Sequence, residues 1–254
     1  MTRSPFSLPR FAATCRARLL ELLFPPACVV CGEAIPEATC AAFCWTCLEE
    51  FQEFFPPYCP GCGAAVPHPI EEGKTCGHCG GEKTRYDRAV TLAPYDGLLR
   101  EQLLRAKKPT GEQVAVALAH RLLERHGEAL RAAELDVVCP VPMHWRRRLR
   151  RMTNSPSTMA SVIAQQLGVP LASGLLVRRR YTVPQFQLSP TDRQANVRGA
   201  FRVAAGHKLQ SAHVLLVDDI LTTGATVTQA TRALRIAGAA KVTVVAVARS
   251  YSDR

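Results

Sequence analysis

The chain reads as an α/β fold, a mainly parallel sheet with flanking helices, preceded by a small cysteine-rich domain. Three observations lead there. From Arg85 onward, apolar strand-like runs alternate with helical patterns, the arrangement that builds βαβ units. Between residues 24 and 82, Cys, Pro, Gly and Glu dominate and long apolar runs are missing, so no large core forms there. Ten of the 11 cysteines lie before residue 80. These shifts divide the chain into an N-terminal helical segment (1–23), a cysteine-rich domain (24–85) and an α/β domain (86–254).

The elements follow in order. "RAVTLAPY" (88–95) predicts a strand. "LLREQLLRAKK" and "EQVAVALAHRLLERHGEAL" place apolar residues at three- and four-residue steps and predict helices. "LDVVCPVP" (135–142) is a short buried strand ended by prolines. Ser155 and Pro156 predict an N-cap and a first helical residue, with the helix running to about Leu167 and stopped by Gly168. "HVLLVDD" is a strand, "TVTQATRALRIAG" a helix ending at Gly238, and "KVTVVAVAR" a last, fully buried strand. The number of strands is not readable.

The cysteine-rich domain contains four C-x-x-C pairs: Cys28/Cys31, Cys44/Cys47, Cys59/Cys62 and Cys76/Cys79. The two duos are separated internally by 12 and 13 residues, and "CVVCGEAIP" matches "CPGCGAAVP" almost position by position. Two thiolates two residues apart grip one face of a tetrahedral ion, and a second pair closes the site. The following glycine lets the turn fold back, so that backbone amides point at the sulfurs. A closed four-sulfur site leaves no position for substrate, so the expectation is two structural Zn2+ ribbons. Reduced or disulfide-linked cysteines are the alternative. Cys40 or His78 can substitute for a neighbouring ligand, and the knuckles can pair out of order. Cys15 and Cys139 read as buried small hydrophobes.

Composition narrows the function classes. Apolar residues make up 47% of the 254, enough for a core, and the formal charge of +11 favours anionic partners. The N-terminus, broken by Pro5, Pro9, Arg10, Arg16 and Arg18, shows no signal-peptide core. No run approaches 18 apolar residues, so no membrane span is expected and the chain reads as cytoplasmic, where paired cysteines more often hold metal than form disulfides.

Asp218 and Asp219 follow the apolar run of a strand whose end faces the ligand crevice of an α/β sheet. Two acids there accept hydrogen bonds from vicinal hydroxyls, or help hold a metal-bound sugar phosphate. The next residues, Thr222, Thr223, Gly224, Ala225 and Thr226, enter a helix, whose first N–H groups and dipole favour an anion. The threonines add hydroxyl donors and the glycine permits close approach. Acids for ribose hydroxyls and a loop for phosphate make a ribose 5-phosphate site; the bland alternative is a threonine-capped turn. A Walker A loop and a dinucleotide fingerprint are both absent from the sequence.

"VLLVDDILTTGAT" resembles the PRPP-binding motif of type I phosphoribosyltransferases, and the whole chain resembles the ComF family, which joins a double zinc ribbon to a phosphoribosyltransferase-like domain. The match runs through "LLFPPACVVCG", "YDGLLREQLLRAKK", "PVPMHWRRRLRRMTN" and "TVPQFQLSPTDRQANVRGAF". The resemblance implies that Asp218 and Asp219 contact the ribose hydroxyls, directly or through Mg2+, and that Thr222 to Thr226 cradle the 5-phosphate. It sets Pro140 to Pro142, Met143 and His144 where such enzymes hold pyrophosphate. Arg151-Met152-Thr153-Asn154 stands where the family has Arg-Gly-Phe-Asn.

The remaining basic stretches have two readings each. "WRRRLRR" (145–151) is a solvated face or a surface for pyrophosphate or nucleic acid. The segment 178–199, with Arg178, Arg179, Arg180, Arg193 and Arg198, reads as a long loop in the place of a catalytic lid. Its Tyr181 and Phe186 stack on a base or pin the loop. Lys107 and Lys108 pair with phosphate or with helix-end carbonyls. Two functions follow. One is a phosphoribosyltransferase using PRPP with Mg2+ and an unidentified acceptor, for which His144 is a candidate base. The other is a non-enzymatic, PRPP-responsive module that binds single-stranded DNA through its ribbons and basic loops. The family's association with DNA uptake in natural transformation implies DNA-uptake proteins as partners. A structural zinc-ribbon adaptor on an inactive transferase fold is a third.

Overall fold

The computed structural model describes residues 25–35, 42–52, 56–71, 74, 76–79, 85–143, 154–180 and 195–250. Cys15, Cys40, His144, the arginine run 145–151, Tyr181, Phe186, Arg193 and the segment 1–23 lie outside them. The chain divides into two compact units, Met1–Glu49 and Glu50–Arg254. The first four-cysteine cluster belongs to the first unit, and the second cluster belongs to the unit that holds the sheet. The change in composition near residue 85 is therefore not where packing divides the chain.

The two cysteine clusters repeat bond for bond. In the first, Cys28 N–H donates to the Glu33 carbonyl, Gly32 N–H to Cys28 and Ile35 N–H to Pro26. In the second, Cys59 donates to Ala64, Gly63 to Cys59 and Val66 to Pro57. Each forms one isolated antiparallel bridge, Ala27–Ala34 and Tyr58–Ala65. Gly32 and Gly63 both adopt positive φ, +80° and +71°, where a side chain is strained. Helix α1 (Trp45–Gln52) carries Cys47.

The larger unit is built on β1 (Arg88–Pro94), α2 (Gly97–Ala106), α3 (Glu112–Arg131), β2 (Val137–Pro140), α4 (Ser155–Leu167), β3 (Leu176–Arg178), β4 (Phe201–Val203), β5 (His213–Leu221), α5 (Ala225–Ile236) and β6 (Lys241–Arg249). Four strands form one sheet in the order β1-β6-β5-β2, and every pairing in it is parallel. The runs in β5 and β6 are almost continuously apolar because helices cover both faces. Val214 and Leu216 join the core with Val227, Ala230 and Leu234 of α5. The alternate residues Leu215 and Val217 are equally buried and lie on the opposite face, where α4 packs against β5 and β2.

Three expectations need correction. Asn154, not Ser155, is the N-cap of α4; Ser155 is helical, and its hydroxyl donates to the Ala106 carbonyl at 3.0 Å, tying α4 to the end of α2. Gly168 does close the helix, in the left-handed conformation at φ +69°. Strand β5 continues through Leu221, two residues past the predicted end, so the acids sit inside the strand rather than at its last two positions. The stretch read as one loop begins and ends in a strand pair: β3 and β4 are antiparallel, with Arg178 opposite Phe201 and its guanidinium 5.3 Å from the ring centroid. Arg180 donates to the carbonyls of Asn196 and Arg198, closing the base of the intervening segment.

The second cysteine cluster is fastened to this unit. Ala89 N–H of edge strand β1 donates to the Pro60 carbonyl at 2.7 Å, so the knuckle continues the strand's hydrogen bonding where, among the described residues, no further strand follows. Thr91 Oγ1 donates to the Gly63 carbonyl at 2.7 Å. Arg125 of α3 donates to the Pro56 carbonyl, and His126 meets Tyr58 edge-on with ring centroids 5.1 Å apart.

Candidate functional site

Strands β2 and β5 are neighbours, but the helices that follow them, α4 and α5, cover opposite faces of the sheet. That reversal opens a crevice at their carboxyl ends, the usual ligand position of an open α/β sheet. Val141 N–H donates to the Val217 carbonyl, which carries the β2–β5 register to the residue before Pro142. Pro142 and Met143 follow β2, the parallel neighbour of the strand that carries Asp218 and Asp219.

Successive residues of β5 face opposite ways, so Asp218 shares the α5 face and Asp219 the face of α4. Both acids are half-buried. Asp218 Oδ1 accepts the Asp219 backbone N–H at 2.9 Å. Asp219 Oδ2 pairs with Lys107 Nζ at 3.2 Å. The two carboxyl groups also lie within hydrogen-bonding reach of each other. Burial, and then the neighbouring Asp219 carboxylate, raise Asp218 well above the ordinary carboxylate range, against the Asp219 N–H and the Lys107 charge.

Beyond Leu221 the chain turns into α5. Gly224 is the N-cap, at φ +76° and ψ 0°, a conformation that excludes a β-carbon without strain. With no side chain at the cap, the positive end of the helix is left to other groups; Ala225 N–H reaches Thr223 Oγ1 at 3.4 Å. The loop is anchored from behind. The Leu221 carbonyl accepts both Ser250 N–H at 2.9 Å and Arg249 Nη1 at 3.0 Å. The Tyr86 hydroxyl lies 3.8 Å from where a Gly224 β-carbon would stand, and burial pushes its pKa upward.

Sequence reasoning missed Tyr86 and Arg249 and left Lys107 undecided. Arg249 was findable: it ends β6 opposite Leu221, the last residue before the loop. Lys107 was not, because nothing local to "RAKK" shows which strand end it meets.

The thiols gather as two tetrads. The sulfurs of Cys28, Cys31, Cys44 and Cys47 lie within 4.8 Å of one another, and so do those of Cys59, Cys62, Cys76 and Cys79. The knuckles thus pair in sequence order, and His78 is not among the four donors. A tetrahedron with zinc–sulfur arms of 2.3 Å has edges of about 3.8 Å. The Cys31–Cys44, Cys62–Cys76 and Cys76–Cys79 sulfur separations are 3.6, 3.5 and 3.8 Å, and all the described cysteines are free thiols. Burial alone would raise Cys28, yet backbone groups of Cys31, Cys44 and Val30 lower it to about 7, toward the thiolate a metal needs. The donor set fits zinc. Cys139 stands apart, fully buried, its pKa pushed up to about 12 by burial.

Residues 19–80 match the double zinc ribbon domain family, and residues 156–254 match the phosphoribosyl transferase domain family. The DNA utilization protein YhgH of Salmonella typhi is 33% identical over 172 residues, 66% of this chain and 75% of that protein. YhgH of Escherichia coli K12 is 32% identical over the same shares. Competence protein F of Haemophilus influenzae is 28% identical over 179 residues, 69% of this chain and 78% of its own. Among solved structures, adenine phosphoribosyl transferase from Trypanosoma brucei aligns over 87% of this chain and 85% of that one, at 13% identity and a TM-score of 0.35; so loose a superposition assigns no residue. Among the described residues, no helix is long and apolar enough to cross a membrane.

Proposed function

Since this chain belongs to the ComF family of double-zinc-ribbon, phosphoribosyltransferase-like proteins, we propose that it binds PRPP or another ribose 5-phosphate with Mg2+ in the β2–β5 crevice and acts in DNA uptake. The observation that carries this reading is the acid pair. Asp218 and Asp219 lie side by side near the end of a strand that leads straight into a glycine-dependent helix start. A vicinal diol and a phosphate on one small sugar would satisfy both features.

In this reading Asp218 and Asp219 accept hydrogen bonds from the ribose hydroxyls and hold C1 toward Pro142 and Met143, where pyrophosphate would lie. Thr222 to Thr226 bind the 5-phosphate with backbone N–H groups and hydroxyls. Alternatively the acids would meet the hydroxyls through Mg2+, since carboxylate oxygens are hard donors of the kind it takes one or two of, alongside phosphates; the bound ion would neutralise charge on the leaving group. If transfer occurs, the bond from C1 to pyrophosphate breaks as an acceptor attacks C1. The protein then contributes positioning and charge stabilisation. Eight thiols kept as ligands suit a reducing compartment such as the cytoplasm.

DNA uptake is supported by the names of the relatives and by the surplus of positive charge. The second reading, a PRPP-responsive module that binds single-stranded DNA without chemistry, is favoured by Trp45. It lies between two ligands of the first tetrad and is 69% exposed, and exposed aromatics stack on bases. Two assays separate the readings. Pyrophosphate release from PRPP in the presence of an acceptor, lost in Asp218→Asn, supports the enzyme. Single-strand binding that weakens steeply with salt and with Trp45→Ala, without pyrophosphate release, supports the module.

A further inference from the structure

We propose that Tyr86 is a positioning residue that links the second cysteine tetrad to the helix start at Gly224, so that zinc on Cys59, Cys62, Cys76 and Cys79 and a phosphate on Thr222 to Thr226 strengthen each other's binding. The proposal rests on the sugar-phosphate reading above and adds a regulation by metal that reading does not contain.

The path is short and buried. The knuckle of Cys59 and Cys62 is fastened to β1 at two points: Ala89 N–H donates to the Pro60 carbonyl and Thr91 Oγ1 to the Gly63 carbonyl, each at 2.7 Å. Tyr86 stands just before that strand. It is 5% exposed and shares a core with Ala89, Leu221 and Val227. Asp87 beside it is held twice, since its N–H donates to the Val242 carbonyl and its carboxylate accepts the Val242 N–H. The tyrosine therefore projects from fixed backbone. Burial raises the pKa of its phenol, Arg249 lowers it, and Cys62, Cys79 and Cys59 raise it. The ring thus lies within charge reach of three sulfurs of the tetrad and of the arginine that grips the Leu221 carbonyl.

At the other end, the hydroxyl lies 3.8 Å from where a Gly224 β-carbon would stand. Gly224 caps α5 at φ +76° with no side-chain hydrogen bond of its own. Glycine reaches other conformations as readily, so the aim of the first amides of α5 depends on what packs around the cap. Arg249 and Ser250 hold Leu221 from behind, and Tyr86 closes the side that a β-carbon would fill. A four-thiol knuckle owes its fold to its metal. When zinc leaves, the sulfurs no longer hold together, and the knuckle loses its grip on β1 and on the ring beside it. A phosphate must then reorder the helix start, at a cost in affinity. By linkage the converse holds: a bound phosphate slows the loss of zinc from the second tetrad.

The test is zinc release to a chromophoric chelator from the full-length, zinc-loaded protein, with and without saturating ribose 5-phosphate. It is run on the wild type, Tyr86→Phe and Tyr86→Leu, with calorimetric titration of the sugar phosphate and thermal unfolding of each. The same measurement on Cys31→Ser, which keeps the second tetrad whole, identifies the protected ion. Ribose 5-phosphate should slow release of the second zinc by roughly fivefold or more in the wild type and in Cys31→Ser. In Tyr86→Phe or Tyr86→Leu, whichever folds as the wild type does, protection should fall below about twofold. Release that ribose 5-phosphate leaves unchanged, in a wild type that binds it, overturns the link and leaves the sugar-phosphate reading standing. Full protection in a folded Tyr86 variant overturns the role of the tyrosine. A wild type that does not bind ribose 5-phosphate overturns the site itself, and the inference with it.

Discussion

Gly63 and Thr91 stand so close that a β-carbon on the glycine would lie 2.6 Å from the threonine methyl. The Thr91 hydroxyl returns a hydrogen bond to the Gly63 carbonyl. Gly32 holds the equivalent place in the first cysteine cluster, with the same positive φ, and has nothing within 4 Å of that position. One repeated motif therefore does two jobs. Gly32→Ala should cost only the left-handed backbone penalty, about 1–2 kcal/mol. Gly63→Ala adds overpacking against β1, about 1–3 kcal/mol more. Denaturant unfolding of the two variants checks this; equal losses would mean that the second knuckle is not seated on the strand.

Metal removal should be equally asymmetric. The second tetrad belongs to the unit that contains the sheet, and the first does not. Cys62→Ser should lower the calorimetric transition of the sheet-bearing unit. Cys31→Ser should leave that transition in place and lose one zinc. Zinc stoichiometry measured alongside each scan tells the two effects apart.

The composition boundary near residue 85 and the division into compact units at Glu49 mark different things. Cysteine spacing picked out the eight ligands but left their pairing open, and the fold pairs the knuckles in sequence order. The spacing carries no sign that Pro60 and Gly63 would meet a strand beginning at Arg88, because that contact depends on β1 ending up at the sheet edge. The acid pair and the glycine loop were legible because their chemistry is local to one strand end. The Lys107–Asp219 pair joins residues more than a hundred positions apart, and only the assembled sheet brings them together. The β3–β4 pair was hidden for a different reason: two three-residue strands are too short for any periodicity to register.

His126 gives the fold an acid limit. It is 6% exposed, its Nε2 lies 3.1 Å from the Thr91 carbonyl, and it packs against Tyr58. Burial, and then the Arg125 charge, depress its pKa from 6.5 to about 4. The folded state therefore favours the neutral ring, while the unfolded chain takes up a proton near its ordinary pKa. The stability this contributes is complete above about pH 6.5 and is lost as pH falls toward 4, about 3 kcal/mol in all. Thermal melts of wild type and His126→Gln across that window check the sign: the wild type should lose more stability than the variant. Parallel slopes would exclude His126 as the source.

The central claim is that Asp218 and Asp219 receive the sugar of a ribose 5-phosphate. Titration of PRPP, with and without magnesium, into wild type, Asp218→Asn and Asp219→Asn tests it most directly. The account predicts saturable, magnesium-strengthened binding by the wild type and a loss of roughly tenfold or more in each variant, with folding and zinc content unchanged. PRPP affinity that is the same in all three proteins would contradict it.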